Sequence, residues 1–155
     1  MLTKVREFQY KLLHGAIYTK ENLLKFGFVE NSQCSFCKQM VETYEHLFWD
    51  CSYVKPLWQK VIDRFDLIRL KNAEWKDIHV GIMGKDLSTK CCNTIIFILK
   101  YIIFRSRSED AILTPEEMYR KIRGFRDEEK EIASKRNKLG LHLLKWENID
   151  FEMRN

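Results

Sequence analysis

Four residues of this chain have the types and the spacing of a metal site. Cys34, Cys37, His46 and Cys51 follow the pattern C-x2-C-x8-H-x4-C. Three thiolates and one imidazole form a complete tetrahedral set for Zn²⁺, and a complete set leaves no open position for water or substrate. The pattern therefore predicts one structural zinc ion in a small Cys3His (CCHC) zinc knuckle, and it argues against catalysis by the metal.

The spacing also indicates how the four ligands come together. A C-x2-C turn lets two sulfur atoms meet on one ion, and His46 and Cys51 are separated by a little more than one helical turn. We expect a short helix to carry His46 and to end at Cys51. The alternatives are a redox C-x-x-C, which would accompany a βαβ unit that is not visible here, and a disulfide, which needs an oxidising compartment.

Length and composition favour one intracellular, helical domain. The chain has 155 residues, 45% of them hydrophobic, with only two prolines and six glycines, which argues against disorder and favours helices. Cys91 and Cys92 are adjacent and do not readily bridge each other, so the cysteine usage fits the cytosol or nucleus. The first ten residues lack a secretory signal, and the apolar stretch 95–104 is too short to span a bilayer. We therefore expect no membrane association.

The hydrophobic periodicity predicts a mainly α fold, a helical domain with a small Cys3His zinc knuckle. We divide it into a zinc-binding module with flanking helices, residues 1–70, and a C-terminal helical extension, residues 71–155, packed with the first part as one unit. The predicted elements are helices over 3–14, 20–26, 54–65, 88–105 and 114–139, a short extended segment within 71–86, and a final amphipathic piece over 142–149.

Several residues have the chemistry of helix ends. Thr19, Thr43 and Ser52 are expected to cap the starts of short helices, and Thr114 precedes proline and glutamate in the order of a strong helix start. Gly140 is expected to end the helix that Thr114 begins.

The residues around the zinc ligands include candidates for nucleic-acid contact. Six basic side chains either offset the net −1 charge of Zn²⁺ with three thiolates or meet phosphate. Phe36 and Trp49 lie on the loop and knuckle and are candidates for stacking on bases, whereas Trp58 is expected in the core. For Glu42 a role in orienting the loop is favoured over contact with nucleic acid. The basic candidates are Lys4, Arg6, Lys11, Lys20, Lys25 and Lys38.

The residues between and after the ligands resemble a known family. The sequence reads C-S-F-C at 34–37, E-T at 42–43, H-L-F at 46–48, then Cys51 and Trp58. This order resembles the zinc-binding domain that follows the reverse transcriptase in LINE-type (non-LTR) retrotransposons. The resemblance is most specific over residues 6–58. Residues 8–14 look like the family's helix before the zinc loop, and 130–133 and 142–146 look like the tail of many such elements.

The resemblance implies a non-catalytic role in a larger machine. It implies binding of element RNA or target DNA during target-primed reverse transcription. No Asp-Asp pair occurs, and nothing resembles polymerase or endonuclease residues, so the chain itself is not expected to be an enzyme. The alternative is a structural or protein-interaction domain that docks on the reverse transcriptase without touching nucleic acid. The net charge of +5 is compatible with both.

Overall fold

The computed structural model describes residues 1–151, and this part of the chain is largely helical. The four last residues of the predicted 71–155 extension lie outside it. A π-helical turn, His46–Asp50, and a 3₁₀ turn, Ile68–Leu70, accompany the α-helices. The predicted mainly α fold with a Cys3His cluster is confirmed. The α-helices are α1 (Thr3–Leu13), α2 (Lys20–Lys25), α3 (Lys55–Arg64), α4 (Trp75–Val80), α5 (Leu87–Ser108), α6 (Pro115–Lys135) and α7 (Leu139–Trp146).

Helix α5 lies at the centre of the molecule. Helices α1, α6 and α7 and the π-helical turn all pack against it. The predicted apolar stretch 95–104 is the inner part of this 22-residue helix, which is apolar nearly all round because neighbours cover most of its surface. Helix α5 is long and apolar enough to cross a membrane, by length and composition alone, but the greater part of it is buried inside the protein.

The two strongest predicted helix starts are confirmed. Thr19 begins α2, where its hydroxyl oxygen accepts the N–H of Asn22 at 3.4 Å. Thr114 begins α6, where its hydroxyl oxygen accepts the N–H of Glu117 at 3.2 Å. In both cases the side chain replaces a backbone acceptor that the first turn of a helix lacks.

Two predicted helix ends are wrong. Ser52 does not cap α3, which begins at Lys55 after a turn in which the Cys51 carbonyl accepts the N–H of Lys55 at 2.8 Å. Gly140 lies inside α7 and does not end α6. Helix α6 stops at Lys135 because Asn137, two residues later, adopts the left-handed region with φ 54°.

The predicted extended segment within 71–86 is also wrong, because residues 75–80 form α4. Trp75 and Ile78 are three residues apart, a spacing that places both on one face of a helix. Asp77 accepts the N–H of Glu74 at 3.1 Å and stabilises the first turn. Gly81 ends α4 with φ 98°, and a Cβ atom there would lie only 2.9 Å from the Asn93 amide oxygen.

The side chain of a lysine in α5 is buried among the helices. Lys100 of α5 has no exposed surface. Its Nζ donates to Oε1 of Gln9 in α1 at 2.6 Å and to the carbonyl oxygen of His79 in α4 at 2.8 Å. Gln9 donates to the same carbonyl at 2.7 Å. This small polar network ties three helices together, and burial lowers the pKa of Lys100 to about 7.

This lowered pKa predicts a stability that rises with pH. Between about pH 7 and the ordinary lysine value of 10.5, the unfolded chain keeps a proton that the folded chain releases. The free energy of unfolding therefore rises by up to about 1.4 kcal/mol per pH unit in that window. Below about pH 7 both states are protonated, and the cost of burying the charge is fully present.

Urea unfolding of the wild type and of Lys100→Met across this window measures the effect. Methionine fills a similar volume without a titrating group, so the wild type should gain stability relative to the variant as the pH rises. Zinc is kept at the same concentration in both proteins, so that thiol titration cancels. Parallel profiles for the two proteins would show that Lys100 does not titrate in this range.

Candidate metal centre

The first two ligands lie on a short hairpin. Gln33 and Val41 form an antiparallel bridge, and the Cys34 N–H donates to the Met40 carbonyl at 2.8 Å. The Lys38 N–H returns to the Cys34 carbonyl at 3.0 Å, and Lys38 itself has φ 59°. This left-handed residue reverses the chain directly after the C-x2-C pair, which brings both sulfur atoms to one side of the loop.

The other two ligands lie at either end of the π-helical turn. The Cys51 N–H donates to the His46 carbonyl at 2.9 Å, a bond between residues five apart. In an α-helix such residues would lie about 140° apart around the axis, and the wider turn brings them to the same side. Thr43 begins this segment by accepting the His46 N–H at 3.0 Å. The predicted cap at Thr43 is confirmed, as is the helix that carries His46 and ends at Cys51.

The four ligand atoms converge on one point. They all lie within 4.8 Å of one another, with Cys34 and Cys51 Sγ 3.8 Å apart and Cys37 Sγ 3.3 Å from His46 Nε2. A tetrahedron with Zn–S bonds of about 2.3 Å has sulfur–sulfur edges of about 3.8 Å. A disulfide would need about 2.05 Å. The donor set and its spacing therefore fit one structural zinc ion.

Backbone donors prepare two of the sulfur atoms for a metal. The N–H groups of Phe36 and Cys37 donate to Cys34 Sγ, and those of Tyr53 and Val54 donate to Cys51 Sγ. The thiol hydrogen bond from Cys34 lowers the pKa of Cys51 to about 5, while the same contact and burial raise the pKa of Cys34. Zinc binding requires both sulfur atoms as thiolates, so it releases the protons that the free thiols carry.

Glu42 is the residue that positions this loop. Its side chain is fully buried. One carboxylate oxygen accepts the backbone N–H and the hydroxyl of Ser35, at 2.8 and 2.7 Å. The other accepts the N–H of Lys20 at 2.9 Å and pairs with the Arg107 guanidinium at 2.7 Å. The prediction that Glu42 orients the loop through backbone hydrogen bonds is confirmed.

Arg107 is the partner that sequence reasoning missed. It lies in α5, 65 residues after Glu42, and it also donates to the Tyr18 carbonyl at 3.1 Å. Nothing in the local pattern around Arg107 distinguishes it from Arg105, whose guanidinium pairs with Glu109 on the exposed side of the helix. The only sequence signal was Glu42 beside the knuckle. A buried carboxylate needs a cationic partner, but the sequence does not indicate which basic residue supplies it.

The structure distributes the predicted basic residues over several environments. Lys4 pairs with Glu128 of α6 at 2.7 Å, and Lys25 pairs with Glu21 at 3.2 Å. Lys20 offers its backbone N–H to Glu42. Arg6, Lys11 and Lys38 are exposed and form no ion pair within residues 1–151. The Lys20 side chain forms no ion pair within these residues either, and the role of all four in nucleic-acid contact stays a prediction.

The predicted stacking residues are both partly covered. Phe36 lies parallel to Tyr53, with ring centroids 5.4 Å apart and planes at 3°. Trp49 meets the edge of Trp58 at 5.6 Å. Trp58 is buried and donates its indole N–H to the Phe48 carbonyl at 2.7 Å, which confirms it as a core residue. Phe36 and Trp49 keep part of their surface exposed.

Removal of the metal should unfold the knuckle locally. The purified, reduced protein is expected to hold one zinc ion per chain, and a chelator should release it with loss of protection over residues 34–51. Metal analysis and hydrogen exchange measure the two effects. The buried face of α5 serves as an internal control because its packing needs no metal. A zinc-free protein with a protected loop would refute the assignment.

Truncation of Glu42 should weaken both the fold and the metal site. Glu42→Ala leaves the Arg107 guanidinium, whose side chain is only 11% exposed, without its carboxylate partner, which should cost about 3 kcal/mol of unfolding free energy. Zinc affinity should fall by about 10- to 100-fold, as for other residues that orient ligands. Glu30→Ala, which removes an exposed glutamate before the same loop, is the control for urea unfolding and zinc competition. Equal behaviour of the two variants would contradict this role.

Comparison with known families finds a match over residues 1–58. The matching model is that of a protein family described as zinc-binding in reverse transcriptase. No curated protein and no solved structure matches the chain. The match describes a zinc-binding rather than a catalytic domain, and it ends at Trp58, so it spans the hairpin, all four ligands and the π-helical turn. Together with the ligand geometry, it supports a zinc-binding domain associated with reverse transcriptase over these residues.

Proposed function

We propose that this chain is the nucleic-acid-binding zinc domain that accompanies the reverse transcriptase of a LINE-type retrotransposon. In this role it binds element RNA or target DNA during target-primed reverse transcription, and it carries out no chemistry itself. The observation that carries the proposal is the match of residues 1–58 to a reverse-transcriptase zinc-binding family. A nuclear or cytoplasmic location follows from the reduced thiols that such a site requires.

The exposed face of α1 supports contact with a single strand. Arg6 and Tyr10 are four residues apart on one stripe of α1, and His14 directly follows the helix. Tyr10 is 62% exposed and stacks on the His14 ring at 4.0 Å. Lys11 is also exposed on this helix, and Lys38 is exposed on the zinc loop. Cations beside exposed aromatic rings are the usual surface of sequence-tolerant single-strand binders.

A second candidate function rests on a different surface. Six large apolar side chains between residues 18 and 41 are exposed, and Tyr18 meets the edge of Phe26 at 5.6 Å. Contiguous exposed apolar surface marks protein-interaction sites, and Tyr18 and Phe26 are in direct contact. This surface favours docking on the reverse transcriptase domain encoded with this chain. The six residues are Tyr18, Leu24, Phe26, Phe28, Met40 and Val41.

Binding of single-stranded RNA at two salt concentrations tests the first candidate. We expect affinity to fall steeply between about 50 and 200 mM salt, because each phosphate contact releases counterions. Replacing Arg6, Lys11 and Lys38 by glutamine should weaken binding and reduce the log–log salt slope by up to about 2. Fluorescence anisotropy of a labelled oligonucleotide gives both quantities.

A matched variant separates a local contact from net charge. Replacing the exposed Lys76, Lys85 and Lys138 by glutamine removes the same three charges outside the zinc module, and it should leave the slope nearly unchanged. If the zinc-loaded wild type binds neither RNA nor DNA at low salt, nucleic-acid binding is refuted and docking on the reverse transcriptase is the function to pursue. In that case, Phe28→Ser tests the docking surface, because it removes the most exposed of the six apolar side chains between residues 18 and 41.

A further inference from the structure

A small cleft lies between the zinc loop and the C-terminal end of α5. Its volume is about 160 Å³, well below the roughly 300–1,000 Å³ of pockets for drug-sized ligands. One wall comes from the zinc loop and the turn after Cys51, and the other comes from the last residues of α5 and the loop that follows. The side chains used below are Phe36, Lys38, Tyr53, Ser106, Arg107 and Asp110.

The first wall of the cleft is a rigid aromatic platform. Phe36 lies flat against Tyr53. The Tyr53 hydroxyl donates to the Leu113 carbonyl at 2.9 Å and accepts the Leu113 N–H at 3.1 Å. The Tyr53 ring is therefore fixed by the backbone beyond α5, and the Phe36 ring is held in place by its contact with Tyr53. A flat aromatic surface held in advance costs little ordering entropy when a second planar group stacks on it.

The opposite wall carries a hydroxyl group without a partner. Ser106 is completely buried, and its Oγ forms no hydrogen bond within the described part of the chain. A buried hydroxyl left unpaired costs free energy, and native structures leave few such groups unsatisfied. Ser106 lines the cleft, and because its Oγ is not exposed to solvent, an occupant with a hydrogen-bonding edge would supply the missing partner once the side chain rotates toward it.

The charged side chains around the cleft favour a base inside it and a phosphate group outside it. Arg107 is held by Glu42 and the Tyr18 carbonyl, so it is not free to turn toward an anion. Asp110 is exposed at the rim, where it disfavours phosphate inside the cleft and is suited to accept hydrogen bonds from an amino group. Lys38 is exposed at the other edge and is free to meet a phosphate outside the cleft.

We propose that this cleft binds one unpaired base of a single-stranded nucleic acid, RNA or DNA. The base stacks on the Phe36–Tyr53 platform, its polar edge meets Ser106 and Asp110, and its backbone phosphate lies near Lys38. The inference rests on the proposed nucleic-acid binding and deepens it, because it names the residues that would distinguish a single strand from a duplex. A paired base is stacked on both sides and cannot enter a cleft of this size.

Two variants test the cleft in the full-length, zinc-loaded chain. Phe36→Leu keeps an apolar side chain but removes stacking, and it should weaken binding of a single strand of about 12 nucleotides by fivefold or more. Ser106→Ala should weaken binding by about threefold to tenfold while raising the thermal midpoint, because it removes an unsatisfied buried hydroxyl. A hydroxyl with only a structural role would not produce this opposition between affinity and stability.

Controls make each outcome decisive. Phe28→Leu changes a ring that is 76% exposed and lies outside the cleft, and it should bind like the wild type. Metal analysis confirms that Phe36→Leu keeps its zinc. Separate titrations with single-stranded RNA, single-stranded DNA and the matching duplex distinguish the source of the base.

The outcomes separate this inference from the function on which it rests. If the wild type binds single strands and both variants bind equally well, the cleft is refuted and nucleic-acid binding stands. Equal affinity for the duplex also refutes the cleft. If the wild type binds no nucleic acid, the cleft and the proposed function fall together.

Discussion

The arrangement of the zinc loop depends on the buried carboxylate of Glu42. This one group accepts hydrogen bonds from the loop at Ser35, from the start of α2 at Lys20 and from α5 at Arg107. Burying a carboxylate is costly unless its oxygens are satisfied, and here both oxygens have donors. Apolar contacts alone tolerate sliding, whereas this set of hydrogen bonds fixes one orientation. The loop therefore has a defined position on the helical body.

The metal site and Glu42 stabilise different features of the loop: its internal shape and its position on the helical body. Zinc would join residues 34–51, which are close in sequence, and so fix the internal shape of the hairpin and the π-helical turn. Glu42 joins that unit to α5, which lies far along the chain. The hairpin brings few apolar side chains to the interior, so neither hydrophobic burial nor the metal alone specifies how it docks. Both the metal site, which acts between residues close in sequence, and the Glu42 contacts, which act between distant ones, are needed to define the loop and its position.

Sequence reasoning succeeded where the controlling interaction is local. The four ligands, the caps at Thr19 and Thr114 and the continuous apolar stretch of α5 are all read within a short segment of sequence, and each was predictable. The extended segment within 71–86 was mispredicted because its apolar residues fit both a strand and a short helix, and the capping contact of Asp77 decides for the helix. The role of Arg107 could not be predicted, because its partner Glu42 is 65 residues away and the nearby Arg105 has the same residue type in a similar local sequence.

The end of α5 links the zinc loop to the cleft. Ser106 and Arg107 are neighbours in sequence, but about 100° of helical rotation separates their side chains. Arg107 holds Glu42, while Ser106 lines the cleft opposite Phe36. Since Phe36 lies between two zinc ligands, the width of the cleft is set by the same contacts that hold the loop on the helix. A site formed before its ligand arrives loses less entropy on binding. In the proposed binding of a single strand, such preorganisation would compensate for a net charge of only +5.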